Sequence, residues 1–223
     1  MKISVVVPVL NEEACLPDLL LRLRQSVSPT VEVLLVDGGS TDQTAALAEH
    51  AGFSVIQGGR GRARQMNLGA TFASGEILLF LHADNILPGD WQQALTTQLI
   101  QPVCWGRFDV RIQGKSAMLP VIASFMNLRS RLTGIATGDQ TMFMTRKAFQ
   151  TVGGFPDQPL MEDIEMSKRL LCLSRPACLA SRTTTSGRRW ETRGVWTTIL
   201  LMWRLRWRYW RGQLPSELAK DYA

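Results

Sequence analysis

The first half of the chain alternates short apolar, β-branched runs with stretches of helical length. Four of these runs are apolar on both faces and are predicted to form buried strands: residues 4–9, 31–37, 53–57 and 76–84. Buried strands separated by helices are typical of βαβ units around a parallel sheet. The pattern therefore predicts an α/β fold in which a mostly parallel sheet is flanked by helices.

Helices are predicted between the strands and beyond them. Four leucines recur at helical spacing between residues 16 and 23. Ser40 and Gln43 form an S-x-x-Q capping box, which predicts a helix from there to about His50. Further helices are predicted over 62–73, 88–101 and 117–132 and around 146–149 and 161–170, with strands over 104–112 and 141–145. No linker divides the chain, so we expect one domain over residues 1–190 and a C-terminal helical extension over 191–223.

The composition is that of one globular domain, and it excludes several classes of protein. With 223 residues, 45% hydrophobic and 20% charged, the chain can bury a core without a disulfide or a structural metal. Its four cysteines lack C-x-x-C pairing and it has two histidines, so neither a zinc ribbon nor a disulfide framework is predicted. Free thiols, and the lack of a secretory signal or of an apolar stretch of about 20 residues, favour a cytoplasmic protein.

Polar residues and glycines follow each of the four predicted strands. They are Pro8, Asn11, Glu12, Asp37, residues 58–61, His82 and Asp84. Any one of these loops alone would be explained as the capped start of a helix. However, ligands of an open parallel sheet bind where the carboxyl ends of the strands meet. Four polar loops in succession therefore favour a ligand cleft at that edge.

The same loops exclude two common kinds of nucleotide site. The turn after the first strand contains no glycine, which argues against a dinucleotide-binding fold, and no G-x-x-x-x-G-K-[ST] motif is present. Carboxylates near a phosphate ligand imply a bridging Mg²⁺ or Mn²⁺, because bare acids would repel the phosphate. Residues 58–61 with Arg60, Arg62 and Arg64 either cradle a phosphate or form a solvated basic loop.

Two adjacent acids, Glu162 and Asp163, begin a predicted helix after a glycine-rich turn. A carboxylate at the edge of a cleft can accept a hydroxyl proton as a general base. Neighbouring residues of a helix point in different directions, so only one of the two should face a substrate. The alternative is that both acids only complement the helix dipole.

Five segments, taken in order, resemble the blocks of family 2 nucleotide-sugar glycosyltransferases, which have the glycosyltransferase-A fold. They are SVVVPVLNEE, LLVDGGSTDQT, GRGRARQMNLGATFASGEILLFLHAD, GDQTMF and LMEDIE, and the resemblance covers residues 3–171. Arg188-Arg189-Trp190 is similar to the RRW motif of a small bacterial branch. The resemblance implies transfer of a sugar from a nucleotide-sugar donor, such as a UDP-sugar, to an acceptor hydroxyl, with inversion and with Mn²⁺ or Mg²⁺.

The resemblance also implies roles for residues on the nucleotide side of the cleft. Pro8, Asn11 and Glu12 match the segment that lines the nucleobase and ribose pocket. Asp37 matches an acid that contacts the base of the nucleotide. Two further positions match a helix start that approaches the nucleotide, Arg64 and Asn67.

On the reacting side, the resemblance implies a metal ligand and a base. Asp84 matches the last acid of an Asp-x-Asp motif, which contacts the metal and the diphosphate, while His82 stands where the first acid, the usual ribose contact, would be. Asp163 matches the general base and follows Glu162 in the family's Glu-Asp pair. The remaining matches are a sugar-pocket floor at Gly138, Asp139 and Gln140, for which a plain turn is the alternative. The RRW motif further implies donor-binding residues at Arg189 and Trp190, with a diphosphate contact from Arg189 or Arg188.

The C-terminal segment concentrates positive charge and tryptophan. Residues 182–211 hold eight arginines, one acid and five of the seven tryptophans, which accounts for the net charge of +6. From Val195 on, tryptophans recur at helical spacing and arginines follow another face, which predicts an amphipathic helix. One interpretation is that this helix lies on the anionic inner face of the cell membrane. The alternative is that it packs on its own domain or on a partner subunit, as in a homo-oligomer. No nucleic-acid-binding motif accompanies it, so no nucleic-acid partner is expected.

Three functions are weighed against each other. The leading one is a glycosyltransferase with a hydroxyl acceptor, which includes lipids because family 2 enzymes often act on lipid-linked acceptors. The alternative is a non-catalytic nucleotide-sugar-binding or membrane scaffold protein, suggested by His82 in place of an acid. A sugar nucleotidyltransferase is disfavoured, because its glycine-rich, arginine-containing loop would directly follow the first strand, where Asn11 and Glu12 stand.

Overall fold

The computed structural model describes residues 1–99 and 102–222, which form one sheet with helices on both faces. Its strands are β1 (Ile3–Val9), β2 (Val31–Asp37), β3 (Ser54–Gln57), β4 (Ile77–Phe80), β5 (Asn85–Ile86), β6 (Trp105–Gln113), β7 (Met142–Thr145) and β8 (Ala177–Ser186). Its helices are α1 (Leu16–Ser26), α2 (Thr44–His50), α3 (Arg62–Phe72), α4 (Trp91–Gln98), α5 (Leu119–Thr133), α6 (Arg146–Thr151), α7 (Glu162–Leu171), α8 (Arg188–Arg193), α9 (Val195–Trp210) and α10 (Pro215–Tyr222). A 3₁₀ turn spans Gly138–Gln140.

The strands follow the order β3-β2-β1-β4-β7-β6-β8-β5. β1 is parallel to β2 and β4, β2 to β3, and β6 to β8, whereas β7 is antiparallel to both of its neighbours. The first four strands therefore end at one edge of the sheet, as predicted for a ligand cleft. Because Phe80 of β4 lies opposite Met142 of β7, the residues that follow β4 lie beside those that precede β7. The α/β prediction is confirmed, with a sheet that is mixed on the β7 side.

Two hydrophobic cores fill the two faces of the sheet. On one face, Val5 and Val7 pack with the leucines of α1 and with Trp91 of α4. On the other face, Val6 and Val36 pack against α3, α6 and α7. Neighbouring residues of β1 thus point into different cores, which explains why the strand is apolar at nearly every position.

Two features of the strand pattern differ from the prediction. The strand predicted over 76–84 ends at Phe80, because the chain turns at His82 and continues as the short strand β5. The sequence pattern predicts no strand at Ala177–Ser186, yet β8 lies between β6 and β5. Two of its buried positions are threonines, Thr183 and Thr185, so an apolar alternation is missing from its sequence. The helix predicted over 88–101 is observed as α4, and residues 100 and 101 lie outside the described part of the chain.

The capping box predicted at Ser40 and Gln43 is wrong. α2 begins at Thr44, and Gln43 at its N-cap makes no side-chain capping bond. The hydroxyl of Ser40 instead donates to the carboxylate of Asp37. The loop after β2 is therefore folded around Asp37 rather than around the start of the helix.

The C-terminal helices pack on the start of α7. Leu205 of α9 and Leu218 of α10 are fully buried, in one cluster with Met161 and Ile164. The tryptophans of α9 that lie in solvent, 57% to 76% exposed, are Trp196, Trp203, Trp207 and Trp210. The predicted amphipathic helix is thus present, with Leu205 on the domain and four tryptophans in solvent. Within the described part of the chain, every helix is too short or too polar to cross a bilayer.

Candidate active site

The loops that follow β1 and β2 are joined by hydrogen bonds. The backbone N–H of Asn11 donates to the hydroxyl of Ser40 at 2.9 Å, and its side-chain oxygen accepts from the backbone of Thr41 at 2.8 Å. The backbone N–H of Glu12 donates to the hydroxyl of Thr44 at 2.8 Å. Asn11 has a φ of +54°, a conformation that asparagine tolerates better than most residues. These contacts fix two of the predicted nucleotide-side loops relative to each other.

Asp37 lies at the end of β2 and is 2% exposed. Its carboxylate accepts hydrogen bonds from the backbone N–H groups of Gly39 and Ser40 and from the Ser40 hydroxyl. Pro8 lies beside it on β1, half-buried and opposite Val36. Asp37 therefore holds the shape of its own loop, and its predicted contact with a nucleobase stays a prediction.

Glu12 is half-buried, and its Oε2 accepts a hydrogen bond from the thiol of Cys15 at 3.1 Å. The pKa of Cys15 is raised to about 12, mainly because the thiol is partly buried and secondly because it is hydrogen-bonded to the negatively charged Glu12. The thiol stays protonated at neutral pH, so Cys15 is not a nucleophile. As predicted, all four cysteines are free thiols.

Arg64 and Asn67 of α3 contact the loop that precedes α7. Arg64 Nε lies 2.8 Å from Asp157 Oδ1, with both side chains 62% exposed. The side-chain amide of Asn67 exchanges two hydrogen bonds with the backbone of Phe155, at 2.8 Å and 2.9 Å. Both residues therefore tie α3 to this loop, and their predicted approach to a nucleotide stays a prediction.

His82 packs against the 3₁₀ turn at Gly138. A Cβ atom on Gly138 would lie 2.0 Å from Cε1 and 2.4 Å from Nε2 of His82, so only glycine permits this approach. Burial, with a smaller contribution from the charge of Arg62, lowers the pKa of His82 to about 3. The imidazole is therefore neutral at physiological pH. At the position of the family's first acid, His82 supplies shape and no charge.

Substituting Gly138 should disturb the cleft through His82. We expect Gly138→Ala to lower stability by about 1–3 kcal/mol, because the added methyl group overlaps the ring and forces it to move. Thermal unfolding measures this change. Gly59→Ala is the matched control, because a Cβ there meets no atom within 4 Å and should leave the midpoint unchanged. An unchanged midpoint for Gly138→Ala would contradict the close packing of these two residues.

Glu162 and Asp163 point in different directions at the start of α7. Glu162 is 3% exposed, and its Oε1 lies 3.2 Å from Nη1 of Arg62. Burial raises the pKa of Glu162, while the charge of Arg62 acts in the opposite direction. Asp163 is half-buried, and its Oδ2 accepts from the backbone N–H of Gly138 at 2.9 Å. One acid is thus paired inside the protein, and the other lies on the turn that carries Gly138.

The turn into α7 is conformationally unusual. Met161, at the N-cap of the helix, has a φ of +66°, in the left-handed region that non-glycine residues seldom adopt. Its side chain is 8% exposed and packs with Leu160 and Leu205. Such strain costs about 1–3 kcal/mol and is typical of functional sites. The packing of α9 therefore helps to hold the start of α7, and with it Asp163, in place.

Asp84 and Asp139 form the acidic part of the cleft. Asp84 is exposed and, within the described part of the chain, its carboxylate has no hydrogen bond or ion pair. The pKa of Asp139 is raised to about 6, mainly because its carboxylate is buried and secondly because the negative charge of Asp84 repels it. Beside Asp84, a groove of about 320 Å³ is lined by Cys15, by Asp18 of α1 and by residues 184–186. Two nearby carboxylates and an adjoining groove thus lie at the end of β4.

Arg189 and Trp190 of α8 have separate surroundings. Arg189 lies 4.3 Å from the centre of the Tyr222 ring, close enough for cation–π attraction. Burial lowers the pKa of Arg189, whereas the charges of Asp139 and Asp84 act in the opposite direction. Trp190 packs against a small hydrophobic cluster that includes Val110 of β6 and Ile122 of α5. Of these two residues, Arg189 is therefore the one that lies near the acidic part of the cleft.

Comparison with known proteins establishes the family. The model of glycosyl transferase family 2 matches residues 4–153. The chain belongs to glycosyl transferase family 2. It is 36% identical over 102 residues to glucosyl-3-phosphoglycerate synthase of Mycobacterium tuberculosis (strain ATCC 25618 / H37Rv), a match covering 39% of this chain and 30% of the relative. It is 33% identical over 94 residues to undecaprenyl-phosphate 4-deoxy-4-formamido-L-arabinose transferase of Salmonella choleraesuis, covering 37% and 29%. The chain thus spans less than a third of the length of these curated relatives.

Solved structures show which fold this chain shares. Mannosyltransferase PcManGT from Pyrobaculum calidifontis, solved with GDP-Man and Mn²⁺, has a TM-score of 0.69 at 20% identity, covering 100% of this chain and 69% of that one. Residues 1–349 of S. aureus TarS give a TM-score of 0.67 at 21% identity, covering 84% and 61%. The predicted glycosyltransferase-A fold is confirmed.

The acids of this family 2 cleft fit a divalent cation. Within the described residues, no group of three or more acidic, histidine or cysteine side chains forms a complete metal site. Mg²⁺, however, is commonly bound through one or two carboxylates together with phosphate oxygens and water. Asp84 has no ion-pair partner in residues 1–99 and 102–222, and the charge of Asp84 helps to raise the pKa of Asp139. A cation between the two acids would relieve their repulsion. The donor set therefore suits a cation that arrives with a phosphate ligand.

Three arginines of the cleft are not among the predicted site residues. Arg62, in the basic loop whose role the sequence leaves open, pairs with Glu162. Arg129 of α5 and Arg206 of α9 are both half-buried and lie near Asp163. The sequence gives no signal that singles out the last two, because each has another arginine two residues away, Arg131 in α5 and Arg204 in α9. Their proximity to each other depends on the packing of α9, which no local pattern shows.

Proposed function

We propose that the protein is an inverting glycosyltransferase that uses a nucleotide-sugar donor, a divalent cation and an acceptor hydroxyl. The proposal depends on the arrangement of carboxylates around one glycine turn. Asp163 accepts a hydrogen bond from the backbone of Gly138 at 2.9 Å, while Asp139, the next residue, lies close enough to Asp84 for their charges to interact. The base that serves the acceptor and the cation site that holds the leaving group would therefore both lie beside one turn.

Asp163 is the general base in this proposal. The acceptor oxygen attacks the anomeric carbon, the bond between that carbon and the diphosphate oxygen breaks, and the hydroxyl proton passes to Asp163. Attack from the face opposite the leaving group inverts the anomeric configuration. Glu162 is 3% exposed and paired with Arg62, so it supports the cleft and does not take the proton.

The leaving group is held on the other side of the turn. Asp84 and Asp139 are the residues that would bind Mn²⁺ or Mg²⁺, which when bound neutralises the charge that develops on the departing nucleoside diphosphate. Arg189 adds positive charge beside these acids, in line with the diphosphate contact expected of the RRW motif. His82 lines the same region as a neutral ring.

Further details follow from the relatives. A relative of the same fold was solved with UDP and Mn²⁺, and two sequence relatives are named for undecaprenyl phosphate and for 4,4'-diaponeurosporenoate. We accordingly propose a UDP-sugar as donor and a lipid as acceptor. Residues 1–190 would be the catalytic domain and 191–223 an extension, and Arg188-Arg189-Trp190 would place the chain in the small bacterial branch with this motif.

Release of nucleoside diphosphate tests this function. The protein is incubated with Mn²⁺ and, in turn, with UDP-, GDP- and TDP-sugars. The acceptors are water, a long-chain alcohol and a hydroxyl-bearing long-chain phosphate. We expect metal-dependent release of one nucleoside diphosphate, with inversion at the anomeric carbon of any product. Binding of a nucleotide sugar without release under any of these conditions would instead support the non-catalytic alternative.

We also propose that the protein contacts the inner face of the cell membrane through an exposed apolar surface. α5 and α9 share a hydrophobic cluster that includes Met126 and Ile199, and each helix leaves large apolar side chains in solvent. The apolar surface, 51% to 76% exposed, consists of Phe125, Leu128, Leu132, Trp196, Leu200, Trp203, Trp207 and Trp210. α9 contains three arginines and no acid. Tryptophan beside arginine suits the interface of an anionic bilayer.

Vesicle binding tests the membrane proposal. We expect wild type to sediment with phosphatidylglycerol vesicles and not with phosphatidylcholine vesicles, and Trp203→Ser with Trp210→Ser to weaken this binding about tenfold or more. The matched control is Phe72→Ser, which removes a side chain of similar exposure, 61%, from α3. The proposal is contradicted if wild type does not bind anionic vesicles. It is also contradicted if wild type is a dimer and the double variant is a monomer, because the apolar surface would then be the contact between two copies.

A further inference from the structure

The arginines around α5 differ in whether they have a carboxylate partner. Arg107 is fully buried and pairs with Asp109, and Arg131 donates to the other oxygen of Asp109 at 2.7 Å. Both oxygens of this acid are therefore occupied. The guanidinium groups of Arg129 and Arg206, by contrast, have no hydrogen bond or ion pair with any residue that the structure describes.

The unpaired edge of Arg129 has the geometry of an oxyanion site. Its Nε and Nη2 atoms are buried and have no hydrogen-bond partner among the residues that the structure describes. These two atoms share one edge of the guanidinium and donate in parallel, which is how arginine binds a carboxylate or phosphate in a bidentate manner. A buried donor pair without an acceptor costs free energy, so an anion would complete this site.

α5 is fixed where it carries Arg129. The side-chain amide of Asn127 exchanges two hydrogen bonds with the backbone of Val110 in β6, at 2.8 Å and 3.0 Å. The same Asn127 oxygen accepts from Gln140 of the 3₁₀ turn at 3.2 Å. Arg129, two residues further on, is thereby held at a set position relative to the turn that contacts Asp163.

Arg206 adds a second positive charge at the same place. Its neighbour Leu205 is fully buried against the start of α7. Burial lowers the pKa of Arg129 to about 10 and also lowers that of Arg206, and Asp163 acts on both in the opposite direction. Arg206 further lowers the pKa of Arg129, because the two like charges repel. Asp139 also acts on Arg129 in the same direction as Asp163. Arg129 and Arg206 thus lie near carboxylates without forming an ion pair with any of them in the described part of the chain.

We infer that Arg129 and Arg206 bind an anionic group of the acceptor, a phosphate or a carboxylate close to the hydroxyl that receives the sugar. The inference rests on the proposed function, because it takes Asp163 as the base that serves the acceptor. The donor diphosphate has its own residues, Asp84 with a cation and Arg189, at the other side of the turn. The anion subsite would bring the hydroxyl to Asp163 and select charged acceptors over neutral ones.

Anion binding tests this inference in the presence of UDP and Mg²⁺, which cover the diphosphate site. Inorganic phosphate and, in a parallel arm, acetate are titrated calorimetrically into wild type and into Arg129→Gln and Arg206→Gln. We expect the better-bound anion to lose about 10- to 100-fold in affinity in Arg129→Gln, the loss expected for hydrogen bonds to a charged group. The preference of wild type for phosphate or acetate identifies the class of acceptor.

Matched variants separate this role from effects on folding. Arg204→Gln changes an exposed arginine of the same helix as Arg206 and should bind phosphate and acetate as wild type does. Arg129→Lys keeps the charge but loses the parallel donors, so its affinity should fall between wild type and Arg129→Gln. The thermal midpoint of Arg129→Gln should match or exceed that of wild type, because the substitution removes buried donors that lack partners.

Two results would overturn the inference. One is equal anion affinity in wild type and Arg129→Gln. The other is a loss of UDP affinity in Arg129→Gln as large as the loss of phosphate affinity, because the arginine would then serve the donor. Failure of the proposed function has a different signature: no nucleoside diphosphate is released from any nucleotide sugar, while anion binding still depends on Arg129.

Discussion

Replacing Asp163 by asparagine should lower the rate of sugar transfer by about 10²- to 10⁴-fold, the contribution of a positioned general base. The amide keeps an oxygen that can accept from the backbone of Gly138, so the turn should retain its shape. Affinity for the donor should not change, because Asp163 contacts the acceptor side of the cleft. Initial rates of nucleoside diphosphate release, together with donor affinity by calorimetry, measure the two effects separately.

The control for this variant is Glu49→Gln, which neutralises an exposed acid of α2 far from the cleft and should leave the rate unchanged. Near-normal transfer by Asp163→Asn, at unchanged donor affinity, would remove Asp163 from the role of base. A fall in donor affinity equal to the fall in rate would place Asp163 on the donor side and contradict the proposed division of the cleft.

Replacing Asp84 by asparagine should remove the dependence of donor binding on the cation. We expect donor affinity in Mn²⁺ to fall to the value measured without metal, a loss at least as large as the roughly 10- to 100-fold that follows loss of an outer-shell metal partner. Without ligand, the variant should be as stable as wild type or more stable, because the charge of Asp84 raises the pKa of Asp139 and the repulsion between them would be gone.

Asp90→Asn provides the comparison for Asp84. Asp90 is an exposed acid at the N-cap of α4 that accepts from the hydroxyl of Ser181, so its loss should leave metal dependence intact. Mn²⁺-dependent donor binding that survives in Asp84→Asn would show that the cation is bound elsewhere. A strong loss of stability in Asp84→Asn without ligand would show that the residue is structural.

The first half of the fold can be predicted from the sequence because it depends on local patterns. β1, β2 and β4 are apolar on both faces, since each separates two cores, and this makes them recognisable. β8 escapes prediction because it buries Thr183 and Thr185. The Thr183 hydroxyl donates to the carbonyl of Ile86 and lies against the hydroxyl of Thr141, partners that only the folded sheet supplies. The start of α2 is predicted at the wrong residue for a related reason. The Ser40 hydroxyl could cap a helix, but in the folded loop it donates to the carboxylate of Asp37.

The candidate site is predictable in its residue types and less so in its pairings. The sequence indicates that Glu162 and Asp163 point in different directions. Which of the two is buried and paired depends on Arg62, which approaches Glu162 from another helix. The contact of His82 with Gly138 follows from the antiparallel pairing of β4 and β7, a long-range feature that neither segment shows alone.

The C-terminal helix shows the same division between local and long-range information. Its amphipathic character is visible in the spacing of tryptophans and arginines. Which side packs on the domain depends on Leu205, which is fully buried against α7. Arg206, next to it, is thereby directed toward the cleft, while Trp203 and Trp210 remain in solvent.

The most direct test of the account is the thermal unfolding midpoint of the wild-type protein with UDP-, GDP- and TDP-sugars, each with and without Mn²⁺. A ligand at about 100 times its dissociation constant stabilises the folded state by about 2.7 kcal/mol. For a domain of this size, that corresponds to an increase of about 5–10 °C. The account predicts such an increase with one class of nucleotide sugar, in the presence of Mn²⁺ only. An unchanged midpoint with all of them would contradict it.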